Sequence, residues 1–350
     1  VWLFAAVVVL PLFLFTVDLG TPSLWDPDEG RPAEIAREML ITRKWLAPQL
    51  NFLPYHEKSP VYFWLLAGAQ RLFGERNEAA IRLPSATLAI AGIWILLVWG
   101  WKHLRPVAAV FAALILSTAA GYVAIGRLAV DDAIGGLCLS IALLAMAEPL
   151  ISRRRKVPWL FHSSLALATL IQGPAALLLP PLTALVFVVW LREPERLLDL
   201  RPVRSALIVA LLAGPVFALA AAHDPVYVSE LFTQHNGIRF LDPGFAADHS
   251  YSLLSYLLIL PVLLLPWGVF LPWSLRDALR SGRERSPDAR RYLLAWLLAD
   301  LVYFELTATN LVSYVLLALV PLSLLTGRAL ARLVRSPRTE SLFLDPVLLG

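Results

Sequence analysis

Asp132-Ala133-Ile134-Gly135-Gly136-Leu137-Cys138-Leu139-Ser140-Ile141-Ala142-Leu143-Leu144-Ala145-Met146-Ala147-Glu148-Pro149-Leu150 carries one charge between its first residue and its last. A helix needs roughly 20 apolar residues to cross about 30 Å of hydrocarbon, and this run has that length. In lipid every backbone N–H and C=O must be satisfied within the segment, so the run is a helix and not a strand. The same ruler, moved outward along the chain, marks spans near 1–17, 80–101, 107–123, 158–171, 173–191, 205–222, 251–274, 292–308 and 311–326. An eleventh begins near Ser341. Val1–Val17 is apolar from its first residue and is expected to be a membrane helix, not a leader. The expected fold class is an all-α integral membrane protein of about 11 spans. No alternating pattern supports a barrel.

Composition agrees with this reading. Of the 350 residues, 58% are hydrophobic and 16% charged, and the mean hydropathy is +0.68. A soluble fold of this size could not hide so much apolar surface. The lone Cys138 lies inside an apolar run, which excludes a disulfide-built secreted domain. Net charge is +4, and that mild excess is expected in membrane loops and does not call for nucleic acid.

The loops divide into two alternating sets. Lys102–Arg105, Arg153–Lys156, Arg192–Arg204, Arg276–Arg291 and Arg328–Arg338 hold 20 of the 30 Lys and Arg. The other set is 18–79, the turn at Arg127, the turn at Gln172, 223–250 and the turn at Asn310. Apart from its first segment it holds only Arg127 and Arg239. The positive-inside rule assigns the first set to the cytoplasm and the second to the outside, a periplasm or its equivalent. The cytoplasmic loops are short and free of acid–base clusters. Chemistry is therefore expected in the two long outer loops, 18–79 and 223–250.

Four places in the outer set could carry it. In Trp25-Asp26-Pro27-Asp28-Glu29-Gly30-Arg31-Pro32, the proline and acids open a short amphipathic helix whose apolar residues are Ile35, Ala36, Met39 and Leu40, lying along the membrane surface. Asp28 reads either as a helix cap or as a carboxylate at the mouth of a cavity, with Glu29 and Arg31 beside it. In Tyr55-His56-Glu57-Lys58-Ser59-Pro60, a polar turn leads into a second apolar helix. Tyr55, Glu57 and Lys58 suit a phosphate and a cation, or else form an interfacial anchor. Asp131 and Asp132 open the span quoted above, as a cap or as site carboxylates. His235, Arg239 and His249 lie in the second loop, and their spacing alone defines no metal site.

Together these segments resemble a known family. The run from Trp25 to Leu40, then Trp45-Leu46-Ala47-Pro48, Asn51, Tyr55-His56-Glu57-Lys58-Ser59-Pro60, Tyr62-Phe63-Trp64 and Arg82-Leu83-Pro84-Ser85-Ala86, is similar to polyprenyl-phosphate-dependent GT-C glycosyltransferases. The closest branch looks like the bacterial 4-amino-4-deoxy-L-arabinose lipid A transferases and their protein-mannosyltransferase-like relatives. Asp131, Gly173-Pro174, His235-Asn236, Arg239-Phe240, Leu265-Pro266-Trp267 and Tyr314 continue the match in order. The resemblance implies a multi-pass enzyme of a bacterial inner membrane, its domain spanning 1–350. It would move a sugar from a polyprenyl-phosphate donor to a glycolipid, polysaccharide or protein acceptor outside, with inversion. It implies Asp28 and Asp131 as catalytic carboxylates, Tyr55, Lys58 and Arg239 as holders of the donor phosphate, and Glu57 and His235 as ligands of a possible divalent metal ion. Glu29, Arg31 and Asp132 support them. Many members carry a soluble outer domain after the membrane part, and none is expected within these residues. The sequence departs from the family where Gln172 and Asn310 replace lysines. The rival reading is a lipid or solute transporter, which predicts charges and helix breaks matched between two repeated halves. No such repeat is visible.

Overall fold

The computed structural model describes residues 2–224, 226, 230, 253–280, 286–306 and 316–334. Among them every element of secondary structure is a helix except for one small hairpin. In order the helices are α1 (Trp2–Thr16), α2 (Gly30–Thr42), α3 (Pro60–Phe73), α4 (Glu78–His103), α5 (Pro106–Thr118), α6 (Ala120–Gly126), α7 (Asp131–Ser152), α8 (Trp159–Gln172), α9 (Leu179–Leu191), α10 (Pro202–His223), α11 (Leu253–Leu263), α12 (Leu271–Leu279), α13 (Pro287–Leu306) and α14 (Leu316–Val334). The hairpin pairs β1 (Gln49–Leu50) antiparallel with β2 (Leu53–Pro54), Gln49 opposite Pro54.

The run that decides the fold is α7, and it is the best-covered span: 89% of its apolar window is buried. It packs against α4 and α8. Five described helical stretches are long and apolar enough to cross a membrane, or seven when two bent pairs are each counted once. That is fewer than the eleven expected. Part of the difference is physical: α8 has 14 residues, and at 1.5 Å per residue it falls short of the hydrocarbon thickness. The expected eleventh span lies outside the described residues.

Two expected spans are bent. The run 107–123 is divided into α5 and α6 by a 61° bend at Ala119, and 251–274 turns by 119° between α11 and the stretch Trp267–Leu279. The bends brace each other. The freed N–H of Ala120 donates to the carbonyl of Leu265 at 2.9 Å, and Trp267 Nε1 donates to Thr118 Oγ1 at 2.8 Å. Backbone groups released at each bend are thus satisfied by the other, as lipid demands. Gly268 permits the second bend itself, since a Cβ there would lie 1.9 Å from the carbonyl oxygen of Pro261.

Helices α2 and α3 sit over one end of this bundle. Ile35, Ala36, Met39 and Leu40 are buried as the amphipathic pattern requires, with α2 packed on α3. Gln70 Nε2 of α3 donates to the carbonyl of Ala33 at 3.0 Å, so protein covers the stripe expected to meet the membrane surface.

Candidate active site

Asp28 and Glu29 were expected to act together at the start of α2, and the fold separates them. Asp28 is exposed and makes no hydrogen bond or ion pair with a described residue, so it does not cap α2. Glu29 is completely buried. Its carboxylate accepts from Arg82 Nε at 2.9 Å and Nη2 at 2.6 Å, from the N–H of Ala129 at 2.9 Å and from the N–H of Trp25 at 3.1 Å. Burial pushes the Glu29 carboxyl up, but the Arg82 guanidinium and the two N–H donors outweigh it and hold it below its ordinary 4.5. Arg82 spends its remaining N–H groups on the carbonyls of Leu19 at 2.9 Å, Pro22 at 2.7 Å and Ser23 at 3.0 Å. One buried ion pair therefore folds the segment 19–29 onto α4.

The Ala129 contact carries the arrangement to the second acid. Glu29 takes the N–H of Ala129, and the Tyr62 hydroxyl donates to its carbonyl at 2.7 Å. Two residues later α7 begins at Asp131. Val130 occupies the cap position with no side-chain cap, so Asp131 is not needed to end the helix. Its carboxylate instead meets Lys58 Nζ at 2.6 Å. Lys58 comes from the turn before α3, where the Ser59 side chain caps the helix and Pro60 opens it. Two expected site residues 73 positions apart are thus in contact. Asp132 follows on α7, partly buried.

Tyr55 donates to Glu57 Oε2 at 2.9 Å, and Arg31 Nη1 lies 3.6 Å from the same oxygen. Burial, reinforced by Glu57, pushes the Tyr55 hydroxyl up to about 12, so it remains a donor. Glu57 was expected to bind a metal, and its partners here are a hydroxyl and a guanidinium. Among the described residues no group of three His, Cys, Asp or Glu could hold a metal ion. His235 and Arg239 lie outside the described residues.

Three residues that organise the site were not singled out for a role from the sequence. His56 reaches the far end of α10 and the segment beyond it, with Nδ1 2.7 Å from Glu230 and Nε2 3.2 Å from Asp224. Arg127 donates to the carbonyls of Leu14 and Val17 and finishes the end of α1. Arg82 is the third. The signal for it was a guanidinium at the start of an apolar run, which a membrane protein places only against a partner. Gln172 lies beside the site, packed so close to α7 that a Cβ on Gly135 would fall 2.3 Å from its Cγ.

The chain is similar to known proteins in sequence and in fold. Residues 57–218 match the dolichyl-phosphate-mannose-protein mannosyltransferase family. The undecaprenyl phosphate-alpha-4-amino-4-deoxy-L-arabinose arabinosyl transferase of Pseudomonas aeruginosa (strain LESB58) is 32% identical over 334 residues, covering 92% of this chain and 58% of its own length. That of Shewanella sediminis is 32% identical over 337 residues, covering 92% of this chain and 59% of its own. The crystal structure of ArnT from Cupriavidus metallidurans bound to undecaprenyl phosphate superposes with a TM-score of 0.83 at 25% identity, over 97% of this chain and 61% of that one.

The chain has the GT-C fold. The resemblance to polyprenyl-phosphate arabinosyl transferases covers nearly all of it, while the chain spans about three fifths of those relatives' length. An Archaeoglobus fulgidus oligosaccharyltransferase shares the GT-C fold at a TM-score of 0.60 and 15% identity, over 99% of this chain and 51% of that one.

Proposed function

We propose that this chain is an inverting glycosyltransferase that moves a sugar from a polyprenyl-phosphate carrier to an acceptor on a lipid A-like glycolipid, a polysaccharide or a protein. The observation that carries the reading is the clamp at Ala129. It places the segment bearing Asp28 beside the end of α7, where Asp131 meets Lys58. Asp28 is a carboxylate not committed to the fold and serves as the base that orients and deprotonates an acceptor hydroxyl. Lys58 exchanges Asp131 for the donor phosphate and, with the Tyr55 hydroxyl, stabilises the charge that develops as the glycosidic bond breaks. Attack from the face opposite that phosphate inverts the anomeric centre. Asp131 holds Lys58 in position between turnovers. The metal expected at Glu57 finds no support in that residue's partners, and no step is routed through one.

The same reading puts the chain in a bacterial plasma membrane with the site facing outward, because 20 of the 30 Lys and Arg lie in the loops of the opposite set. The test compares wild type with Asp28→Asn in vesicles, using labelled polyprenyl-phosphate sugars and a membrane-lipid extract. Transfer is expected to fall by about 10²-fold or more with unfolding temperature unchanged. Equal transfer by both proteins removes Asp28 from the mechanism.

A further inference from the structure

At the end of the bundle away from Asp131, the loop before α8 and the start of α10 enclose a cavity of about 330 Å³ lined by Arg155, Lys156, Arg201, Arg204, His162 and Ser205. Its floor is a buried pair, His162 Nε2 3.0 Å from Ser205 Oγ. Part of the positive charge on this face is neutralised: Lys102 meets Glu148 at 2.5 Å, Arg196 meets Glu193 at 2.6 Å and Asp288 at 2.8 Å, and Arg328 and Arg332 each meet Asp277 at 3.0 Å. Arg105, Arg192 and Arg280 meet no carboxylate among the described residues, and none of the three lines the cavity. In the cavity, Arg155 reaches Asp199 only at 3.6 Å, and Lys156, Arg201 and Arg204 meet no carboxylate among the described residues. Unneutralised positive charge has been gathered around a hollow.

The hollow continues. Ser205 also borders an apolar groove of about 530 Å³ that runs between α8, α9 and α10 past Leu165, Val209 and Ala213 to Phe217. The α10 wall is the span least covered by protein, with 22% of its apolar window buried, and its outer face shows Val203, Leu207 and Leu211 at 73%, 65% and 74% exposure. Leu177, Pro181, Ala206 and Ala210 of the groove's own lining are exposed, so it opens sideways to lipid. Trp159, 68% exposed at the mouth, stands where an interfacial indole belongs.

We propose that this composite site holds an anionic glycerophospholipid of the leaflet opposite the candidate active site, with its phosphate among Lys156, Arg201 and Arg204 and an acyl chain along the groove. A basic pocket between membrane helices, backed by an apolar channel open to the bilayer, matches both halves of such a lipid. A neutral lipid would leave the cations unanswered. A polyprenyl-phosphate donor bound here would hold its sugar at the wrong end of the helices for Asp28. The site rests on its own residues and not on the transfer reaction.

The test reads lipid retained by the purified full chain, by native mass spectrometry, after exchange with vesicles of phosphatidylcholine, phosphatidylcholine with phosphatidylglycerol, and phosphatidylcholine with polyprenyl phosphate. Wild type is expected to retain phosphatidylglycerol over phosphatidylcholine by about tenfold. The triple variant Lys156→Gln, Arg201→Gln, Arg204→Gln is expected to lose that preference. Arg105→Gln, Arg192→Gln, Arg280→Gln, which removes as much charge from the same face outside the cavity, is expected to keep it. Gly214→Leu adds a side chain to the groove without touching the cations, and it should lower retention while leaving the fold intact. Equal loss in both triple variants would reduce the effect to diffuse surface charge. Unchanged retention in the cavity variant, or retention of polyprenyl phosphate in place of phosphatidylglycerol, overturns the proposal.

Discussion

Two of the ion pairs that tie the first outer loop to the bundle, Glu29–Arg82 and Lys58–Asp131, are built in opposite ways. Glu29–Arg82 is dry: its side chains are 1% and 5% exposed, and other bonds within the protein occupy both partners. Lys58–Asp131 is wetter, at 26% and 16% exposure. A buried pair cannot open without leaving an unpaired charge in a medium that cannot solvate it. A partly solvated pair can exchange one partner for a phosphate at little cost. The first is suited to shape and the second to turnover.

Breaking the dry pair should have the largest effect. Arg82→Ala strands the Glu29 charge and releases three carbonyls, and unfolding in detergent is expected to show a loss of about 3–5 kcal/mol. Glu29→Gln keeps the shape but removes the charge from the bonds to Arg82, so its cost should be about 1.5–3 kcal/mol at neutral pH. The same variant tests the sign of the linkage. A carboxyl held below 4.5 in the folded chain contributes stability that is present above 4.5 and lost as the pH falls through its lowered value. Wild type should therefore lose stability in acid below 4.5, and Glu29→Gln should show a flatter acid limb. A steeper limb in the variant would mean that another carboxylate carries the dependence.

The smallest effect on stability is expected at the wet pair. Lys58→Gln should cost no more than about 1 kcal/mol. Its effect should appear instead in the donor KM of the proposed transfer, raised by about tenfold or more. If Lys58→Gln unfolds the protein as readily as Arg82→Ala, the contrast between the two pairs fails.

How far the sequence could be read depends on the same physics. Long apolar runs announced α4, α7 and α10, because a span must be apolar over its whole length and nothing else in the fold can excuse it. The short polar motifs named Lys58 and Asp131, since charges at a membrane boundary need a reason. The bends at Ala119 and between α11 and α12 were invisible. An apolar window averages across a break, and each break is permitted by a backbone group on the other, far away in sequence. The division of labour between Asp28 and Glu29 was hidden for a similar reason. Adjacent acids look alike until the partner that buries one of them, Arg82, is brought up from 53 residues away. His56 was also illegible, because its partners lie at and beyond the end of α10.

The peptide units flanking Ala129 are gripped from both sides, the N–H by Glu29 and the carbonyl by Tyr62. Both of those residues come earlier in the chain. During synthesis the turn that launches α7 therefore meets finished partners as soon as it emerges, and nothing translated later is required to seat it. The contacts from Asp224 and Glu230 to His56 arrive about a hundred residues afterwards. Biogenesis can thus set the two carboxylates in place first and form the His56 contacts with Asp224 and Glu230 last.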